Sequence, residues 1–218
     1  MASQRRDPPA WKADRYHHGN LRQALLDTAV ELARAGGPDA VVLRDVQRRA
    51  GVSNSAAYRH YADRHGLLAA VTDHALGRLA AAMRAAVGAV PNRGPRARRA
   101  LARFRATGAA YIDFALAEPG LFRTAFSPES SQATDPVAAG SGDAADDHPF
   151  RILTSCIDDL VDAGVLSANR RAGLDEAAWA AVHGLATLFL DGLLTTVDPD
   201  RMQLITDRLL DAIEDGIR

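Results

Sequence analysis

The chain alternates between stretches that repeat apolar side chains at helical spacing and short breaks rich in Gly, Pro, Asp and Ser. The first such stretch predicts a helix from Asn20, a good N-cap residue, to Ala35. Gly36-Gly37-Pro38 ends it, because glycine and proline stop helices. Its apolar stripe consists of Leu21, Leu25, Ala29 and Leu32.

The same periodicity predicts further helices downstream, at 43–50, 54–61, 63–88, 96–117, 121–126, 150–163, 175–197 and 199–217. Asp63 is the expected N-cap of the long fourth helix, and Asp198-Pro199 starts the last one. Residues 1–18 are expected to form a flexible basic arm, and 127–149, rich in Ser, Asp, Gly, Ala and Pro, a mobile loop. No stretch alternates apolar and polar residues for long, so we expect an all-α protein of about nine helices.

Composition supports this fold class, since Ala and Leu dominate and β-branched residues are sparse. Apolar residues make up 47% of the chain and charged residues 24%, which is typical of a globular protein. No run of eighteen apolar residues predicts a membrane span, and the polar start is unlike a signal peptide. With one cysteine, Cys156, no internal disulfide can form. We therefore expect a cytoplasmic protein.

The net charge of −1 conceals an asymmetry between the two halves of the chain. Residues 1–109 hold 19 basic against 8 acidic side chains, whereas residues 110–218 hold 7 against 19. This distribution predicts that the first half faces a polyanion. Charge alone does not distinguish nucleic acid from an acidic membrane surface.

The segment 43–61, LRDVQRRAGVSNSAAYRHY, joins two predicted helices across a tight break. Gly51 tolerates the positive φ that such a turn needs, Val52 fills the space between the helices, and Ser53 caps the second. Turns of this kind also join helices in bundles that do not bind DNA. The aromatic and basic cluster at 58–61 and the basic arm favour a helix-turn-helix, whose second helix enters the major groove.

Side chains at the start of a reading helix point to base edges, and neighbouring basic and polar groups hold the DNA backbone. Asn54, Ser55, Ala56 and Arg59 are the candidates for base contacts. Arg44, Tyr58, His60 and Arg64 are the candidates for phosphate contacts, together with backbone amides at the starts of the second and fourth helices. The predicted DNA-binding residues are therefore Arg44, Ser53, Asn54, Ser55, Ala56, Tyr58, Arg59, His60 and Arg64.

These segments resemble the TetR family of regulators. YHHGNLRQALLDTAVELARAGG (16–37) resembles the first helix of that family, and GVSNSAAYRHYADRHGLLAAV (51–71) resembles its turn, recognition helix and fourth-helix start. The family pattern is matched here by Tyr58, His60, Tyr61, Arg64 and Leu67. The resemblance implies a DNA-binding domain at 19–65 and a ligand-binding and dimerisation domain at 66–218.

Four positions depart from the family pattern. Val42 stands where a capping Thr is common, Ala57 replaces a larger apolar residue, and Tyr61 replaces Phe. Ala56 stands where a Thr often contacts DNA. The operator sequence therefore cannot be read from the recognition helix.

Aromatic residues concentrate in the predicted C-terminal domain, where a helical bundle can enclose an apolar cavity. The predicted pocket residues are Phe104, Tyr111, Phe114, Phe122, Phe126, Trp179 and His183. The alternative is that these side chains simply fill the core. Trp179, His183 and Gly184 resemble the Trp-His-Gly signature of one TetR subgroup. Either Trp179 and His183 line the pocket, or Gly184 lets two helices pack closely while His183 satisfies a buried hydrogen bond.

The last two helices carry apolar stripes that suit a four-helix interface with a second copy. The stripes consist of Leu185, Leu188 and Leu193, then Leu204, Ile205, Leu209 and Ile213. TetR-family proteins dimerise in this way, and a dimer presents two recognition helices to a pseudo-palindromic site.

The competing classes are an enzyme, a DNA-packaging protein and a transcriptional activator. Cys156, His183 and Asp191 form no recognisable catalytic motif, and the histidines show no metal-ligand spacing, so we expect no catalysis, metal or cofactor. The acidic second half disfavours DNA packaging. The resemblance implies a homodimeric repressor that binds double-stranded DNA and is released by a small apolar or amphipathic molecule, while activation in place of repression stays open.

Overall fold

A computed structural model describes residues 21–130 and 148–217. The predicted arm at 1–18, the Asn20 cap and most of the predicted loop at 127–149 lie outside the described residues. The described part contains nine α-helices and no β-strand, as the sequence predicts.

Three short helices form the N-terminal part: α1 (Leu21–Gly36), α2 (Leu43–Ala50) and α3 (Asn54–Tyr58). The long helices α4 (Arg64–Ala89) and α5 (Arg96–Ala117) follow, and then the short α6 (Pro119–Ala125). The described residues from 148 onward form α7 (Pro149–Asp162), α8 (Leu174–Asp191) and α9 (Pro199–Ile217).

Helix α1 organises the N-terminal part, because it packs against α2, α3 and α4. Leu25 and Ala29 of its apolar stripe are fully buried, together with Val46 of α2 and Ala57 of α3. Helix α5 has the corresponding role in the larger part, where it contacts α4, α6, α7, α8 and α9.

Helix α4 connects the two parts without a break. Its first residues, including Leu67 and Leu68, are buried beside the N-terminal helices, and its later turns pack on α5. The boundary that the sequence predicts at 65/66 falls in the first turn of this continuous helix, so a rotation of α4 necessarily moves both parts.

Two helices end earlier than the sequence predicts. Helix α3 ends at Tyr58 instead of residue 61, because the amides of His60 and Tyr61 both turn back to the carbonyl of Ala57. Helix α8 ends at Asp191 instead of residue 197. Gly192 takes an extended conformation there, and residues 193–196, which the sequence predicted to be helical, form turns.

The charge asymmetry has an intramolecular explanation that the sequence did not suggest. Arginines of α5 face carboxylates of α7 and α9, as in the pairs Arg96–Asp162, Arg103–Asp159 and Arg105–Asp207. Residues 21–71, which include the helix-turn-helix, hold only seven arginines against five acidic residues. Part of the positive charge of the first half is therefore neutralised by carboxylates within the helical bundle, and only the remainder is available to a polyanion.

The outer face of α8 and α9 exposes apolar side chains. Leu188 is 42% exposed and Leu204 is 44% exposed, and Leu193 in the turn after α8 is 92% exposed. Gly184 on α8 is also exposed, and a Cβ there would meet no heavy atom within 4 Å. In the described ranges, no helix combines the length and the apolar character needed to cross a membrane.

Candidate DNA-binding surface and effector region

The helix-turn-helix geometry follows from three consecutive residues. Gly51 has φ 68° and ψ 29°, the left-handed conformation that glycine adopts without steric cost. Val52 packs against the core, and the Oγ of Ser53 accepts a hydrogen bond of 3.3 Å from the amide of Ala56. The predicted turn and cap are therefore confirmed.

The exposed face of α3 carries the predicted base-contacting residues. Asn54 and Ser55 are exposed, Ala56 is partly buried, and Arg59 is exposed in the turn that follows the helix. Ala57 is fully buried and fixes the helix to the core. One side of a five-residue helix is thus free to meet a DNA groove.

Tyr61 holds this small domain together. It is only 3% exposed, its hydroxyl donates to the carbonyl of Arg22 at 3.4 Å, and the Arg22 guanidinium lies 5.3 Å from the ring centroid. Tyr61 therefore belongs to the core, whereas Tyr58 of the same cluster is 50% exposed.

The two helix starts that could donate amides to phosphate differ. Helix α2 begins at Val42 with no side-chain cap, and Arg44 is exposed in its first turn. Helix α4 is capped by the carboxylate of Asp63, which accepts from the amide of Gly66 at 2.8 Å. The start of α2 thus leaves its first amides without a side-chain acceptor, although Asp45 in the same turn places a carboxylate there, paired with Arg48.

The Arg64 side chain binds carbonyl groups of this chain instead of extending into solvent. Its Nε donates to the carbonyl of Val41 at 2.9 Å, and one Nη donates to the carbonyl of Pro38 at 2.8 Å. The other Nη pairs with Glu129, which follows α6. Arg64 therefore joins the helix-turn-helix to the larger bundle, and its contact with phosphate stays a prediction.

Five of the seven predicted pocket residues form one aromatic cluster, made of Tyr111, Phe122, Phe126, Trp179 and His183. The ring centroids of Tyr111 and Trp179 are 5.0 Å apart, and those of Phe126 and His183 are 4.9 Å apart. The hydroxyl oxygen of Tyr111 lies 2.8 Å from Nδ1 of His183, so these two groups share a hydrogen bond.

Burial changes the acid–base properties of this pair. It raises the pKa of Tyr111 well above the ordinary value, because the phenolate loses its hydration. It lowers the pKa of His183, because the imidazolium is likewise poorly solvated. Both groups are therefore held neutral at pH 7.

The cluster separates two cavities. An apolar cavity of about 20 Å³, enough for one water molecule, is lined by Phe104, Tyr111 and Trp179, among others. A more open cavity of about 660 Å³ lies between α1, α6 and α8, and its walls include Phe122, Phe126 and His183. Phe114 is buried and belongs to neither wall.

Helix α6 connects the aromatic cluster to α1. Phe122 lies within it, while Glu118 at its start accepts two hydrogen bonds from the Arg34 guanidinium, at 2.9 and 3.2 Å. Gly120 lies so close to α1 that a Cβ there would stand 2.2 Å from the carbonyl oxygen of Ala33. The sequence showed Pro119-Gly120 only as a helix break, and nothing in it signalled this contact or the open cavity beside it.

The residues considered for an enzyme do not form a catalytic group. Cys156 lines a cavity beside α4, α5 and α7, whereas His183 and Asp191 line the cavity between α1, α6 and α8. Burial raises the pKa of the Cys156 thiol to about 11, so it stays protonated at neutral pH. In the described ranges, no three His, Cys, Asp or Glu side chains gather as a metal site.

Two structures with the same fold show how far the likeness extends. A protein of unknown function from Rhodococcus sp. RHA1 is 27% identical, with a TM-score of 0.72, and the match covers 94% of this chain and 98% of that one. A TetR-family transcriptional regulator from Pectobacterium atrosepticum is 21% identical, with a TM-score of 0.61, and the match covers 94% of this chain and 95% of that one. No curated protein matches the chain.

Two family profiles match the sequence directly. Residues 25–71 match the bacterial regulatory proteins of the tetR family, and residues 104–213 match the tetracycline repressor-like C-terminal domain. The second match alone covers just over half of the chain. The members of this family are DNA-binding regulators and not enzymes. The chain belongs to the TetR family of transcriptional regulators.

Proposed function

We propose that this chain is a ligand-responsive repressor that binds a pseudo-palindromic operator as a homodimer. The observation that carries the proposal is the exposed α3 face, held on a buried base of Ala57 and Tyr61 and preceded by a correctly formed turn. Asn54 and Arg59 have the side chains that pair with adenine and guanine in two hydrogen bonds. In this proposal, phosphates are held by Arg44, Tyr58 and His60.

Selection of binding sites from random duplexes, followed by affinity measurements, tests operator binding. We expect Asn54→Ala and Arg59→Ala to weaken binding by about 1–3 kcal/mol each and to relax the preference at one base pair per half-site. Arg201→Ala removes the same charge from the start of α9 and should leave affinity unchanged. Weak binding to every sequence at every salt concentration would disprove sequence-specific regulation.

The effector site in this proposal extends from the small apolar cavity into the open cavity beside α6. The apolar cavity is too small for a ligand in the present conformation, while the open one has the size of known small-molecule sites. A ligand with an apolar part on Phe122 and Phe126 and a polar part near His183 fits these walls. Its binding moves α6, and α6 moves α1 through Gly120 and Glu118.

A screen of small apolar and amphipathic compounds by thermal shift and gel shift tests this part. We expect a compound that both stabilises the protein and releases the operator. His183→Ala should lose the thermal shift while keeping operator binding, because it lies far from α3. If no compound has both effects, the chain is not an inducible repressor, even if it binds DNA.

We also propose that the chain belongs to the Trp-His-Gly subgroup, because Trp179 packs against the ring of Tyr111 and His183 shares a hydrogen bond with its hydroxyl. The hydrogen bond between His183 and Tyr111 supports the interpretation in which this histidine satisfies a buried polar group. Among residues 21–130 and 148–217, no heavy atom lies within 4 Å of a Cβ built at Gly184, so we assign its small size to the surface that meets a second copy.

A further inference from the structure

The end of α4 and the first half of α5 are unusually rich in arginine. Residues 78–105 contain eight arginines and no acidic residue. Four of these arginines pair with carboxylates elsewhere in the fold; they are Arg78, Arg96, Arg103 and Arg105. Within the described ranges, Arg93, Arg98 and Arg99 pair with no carboxylate.

These three arginines surround one concavity at the turn between α4 and α5. Its volume is about 580 Å³, and its other walls come from Val90, Pro91, Pro95 and nearby backbone. No lining residue is acidic. Helix α5 starts at this point with neither a side-chain cap nor an acidic residue in its first turn, so its dipole adds to the positive potential.

Arg99 is held in place by the turn itself. One of its Nη groups donates to the carbonyl of Gly94 at 2.7 Å, and Gly94 takes φ +90°, a backbone conformation that suits glycine. The Nε–H of Arg99 is buried and has no acceptor among the described residues. A buried donor without an acceptor is unfavourable, and it leaves the Arg99 guanidinium without the full set of partners that its five N–H donors can bind.

We propose that this concavity binds a small molecule that carries a phosphate or diphosphate group. The planar fork of a guanidinium matches two phosphate oxygens, and three such groups converge here without competing carboxylates. The size of the concavity fits a small molecule better than the convex surface of duplex DNA. Helix α4 has 26 residues and is therefore roughly 39 Å long, which places this site far from the recognition helix.

Calorimetric titration of the full-length protein with pyrophosphate, at constant ionic strength, tests the proposal. We expect one saturable site per protomer. Arg93→Gln combined with Arg98→Gln should weaken it at least tenfold, because both side chains are exposed and neither supports the fold through an ion pair. Arg99→Lys keeps the charge but removes the fork and the Nε–H, and should also weaken binding.

The matched control combines Arg151→Gln with Arg201→Gln, which removes two positive charges from α7 and α9. This control should bind pyrophosphate like the unaltered protein, and the Arg93/Arg98 variant should bind the operator normally. No saturable binding at millimolar pyrophosphate would overturn the proposal. Equal losses of pyrophosphate affinity in both double variants would also overturn it, because they would indicate diffuse electrostatic attraction. The same conclusion would follow if this face bound duplex DNA in place of pyrophosphate.

Discussion

Tyr58 and Tyr61 carry the same side chain three residues apart, yet one faces solvent and the other is buried. The difference arises because α3 ends at Tyr58 and the following turn carries Tyr61 back over α1. A sequence pattern that treats 58–61 as one aromatic and basic cluster cannot separate them. Residue roles on this surface depend on where the helix ends.

Arg44 and Arg64 provide a direct test at the residue scale. Arg44→Ala should reduce the slope of log affinity against log salt by about one, because a phosphate contact is lost, and should leave stability unchanged. Arg64→Ala should instead lower the free energy of unfolding by about 1–3 kcal/mol, because two carbonyls and Glu129 lose their donor. Urea unfolding and salt titrations separate the two. A reduced salt slope for Arg64→Ala would mean that its guanidinium turns outward to the DNA.

The pH dependence of stability reports on His183. Its pKa is lowered in the folded protein, so the unfolded chain binds more protons once the pH falls through the ordinary histidine range, about 6.5. Stability should therefore be complete above that range and decrease as the pH falls towards 5. His74 and His148, whose pKa values are also lowered by burial, contribute in the same direction.

The variant His183→Asn cannot be protonated, so its stability should fall less steeply between about pH 7 and 5 than that of the unaltered protein. Urea unfolding at several pH values measures both slopes. Equal slopes would show that His183 is protonated as easily in the folded protein as in the unfolded chain.

At the scale of elements, the coupling that we propose depends on the short helix α6. It is seven residues long, with Phe122 in the aromatic cluster and Gly120 against the last carbonyls of α1. Arg34 and Arg78 both reach Glu118 at its start. Such a helix cannot shift without moving the N-terminal part.

Gly120→Ala tests this contact. The new methyl group would stand 2.2 Å from the backbone of α1, which must move because a backbone oxygen cannot rotate away. We expect a loss of about 1–3 kcal/mol in stability and a changed operator affinity. Gly77→Ala is the matched control: a Cβ there meets nothing within 4 Å, so the alanine should stabilise α4 by about 0.5–1 kcal/mol. If both variants behave alike, α6 is not tightly packed on α1.

At the scale of the whole molecule, the proposed dimer explains why α8 and α9 expose leucines. Leu188 and Leu204 lie on the last two helices, and the described part of the chain leaves both of them exposed. An exposed apolar face of this kind commonly marks an interface. Two recognition helices can read two half-sites only if such an interface fixes their spacing.

The combination of Leu188→Glu and Leu204→Glu should give a monomer at micromolar concentration in sedimentation experiments. Operator affinity should fall by at least about 100-fold, because the two half-sites are then bound separately. Ala81→Glu combined with Ala85→Glu adds the same charge on exposed positions of α4 and should stay dimeric. If the Leu188/Leu204 variant remains dimeric, the dimer interface lies elsewhere on the protein.

The sequence by itself determined the helical class, the turn at Gly51, the caps at Ser53 and Asp63, and most helix bounds. These features follow from side-chain periodicity and from hydrogen bonds between residues only a few positions apart. The aromatic residues of the second half were also identifiable. Their division between two cavities was not, since it depends on how α5, α6 and α8 cross.

Only the tertiary structure decided which arginines are paired. Arg64 meets a residue 65 positions away, and Arg105 meets residues more than 100 positions away. The tertiary structure alone also shows that residue 120 must be glycine, because the backbones of α6 and α1 are too close there for a Cβ atom. Contacts of this kind arise when helices that are distant in sequence pack together, and they have no periodic signature. The individual helices could therefore be predicted from the sequence, whereas the contacts between them could not.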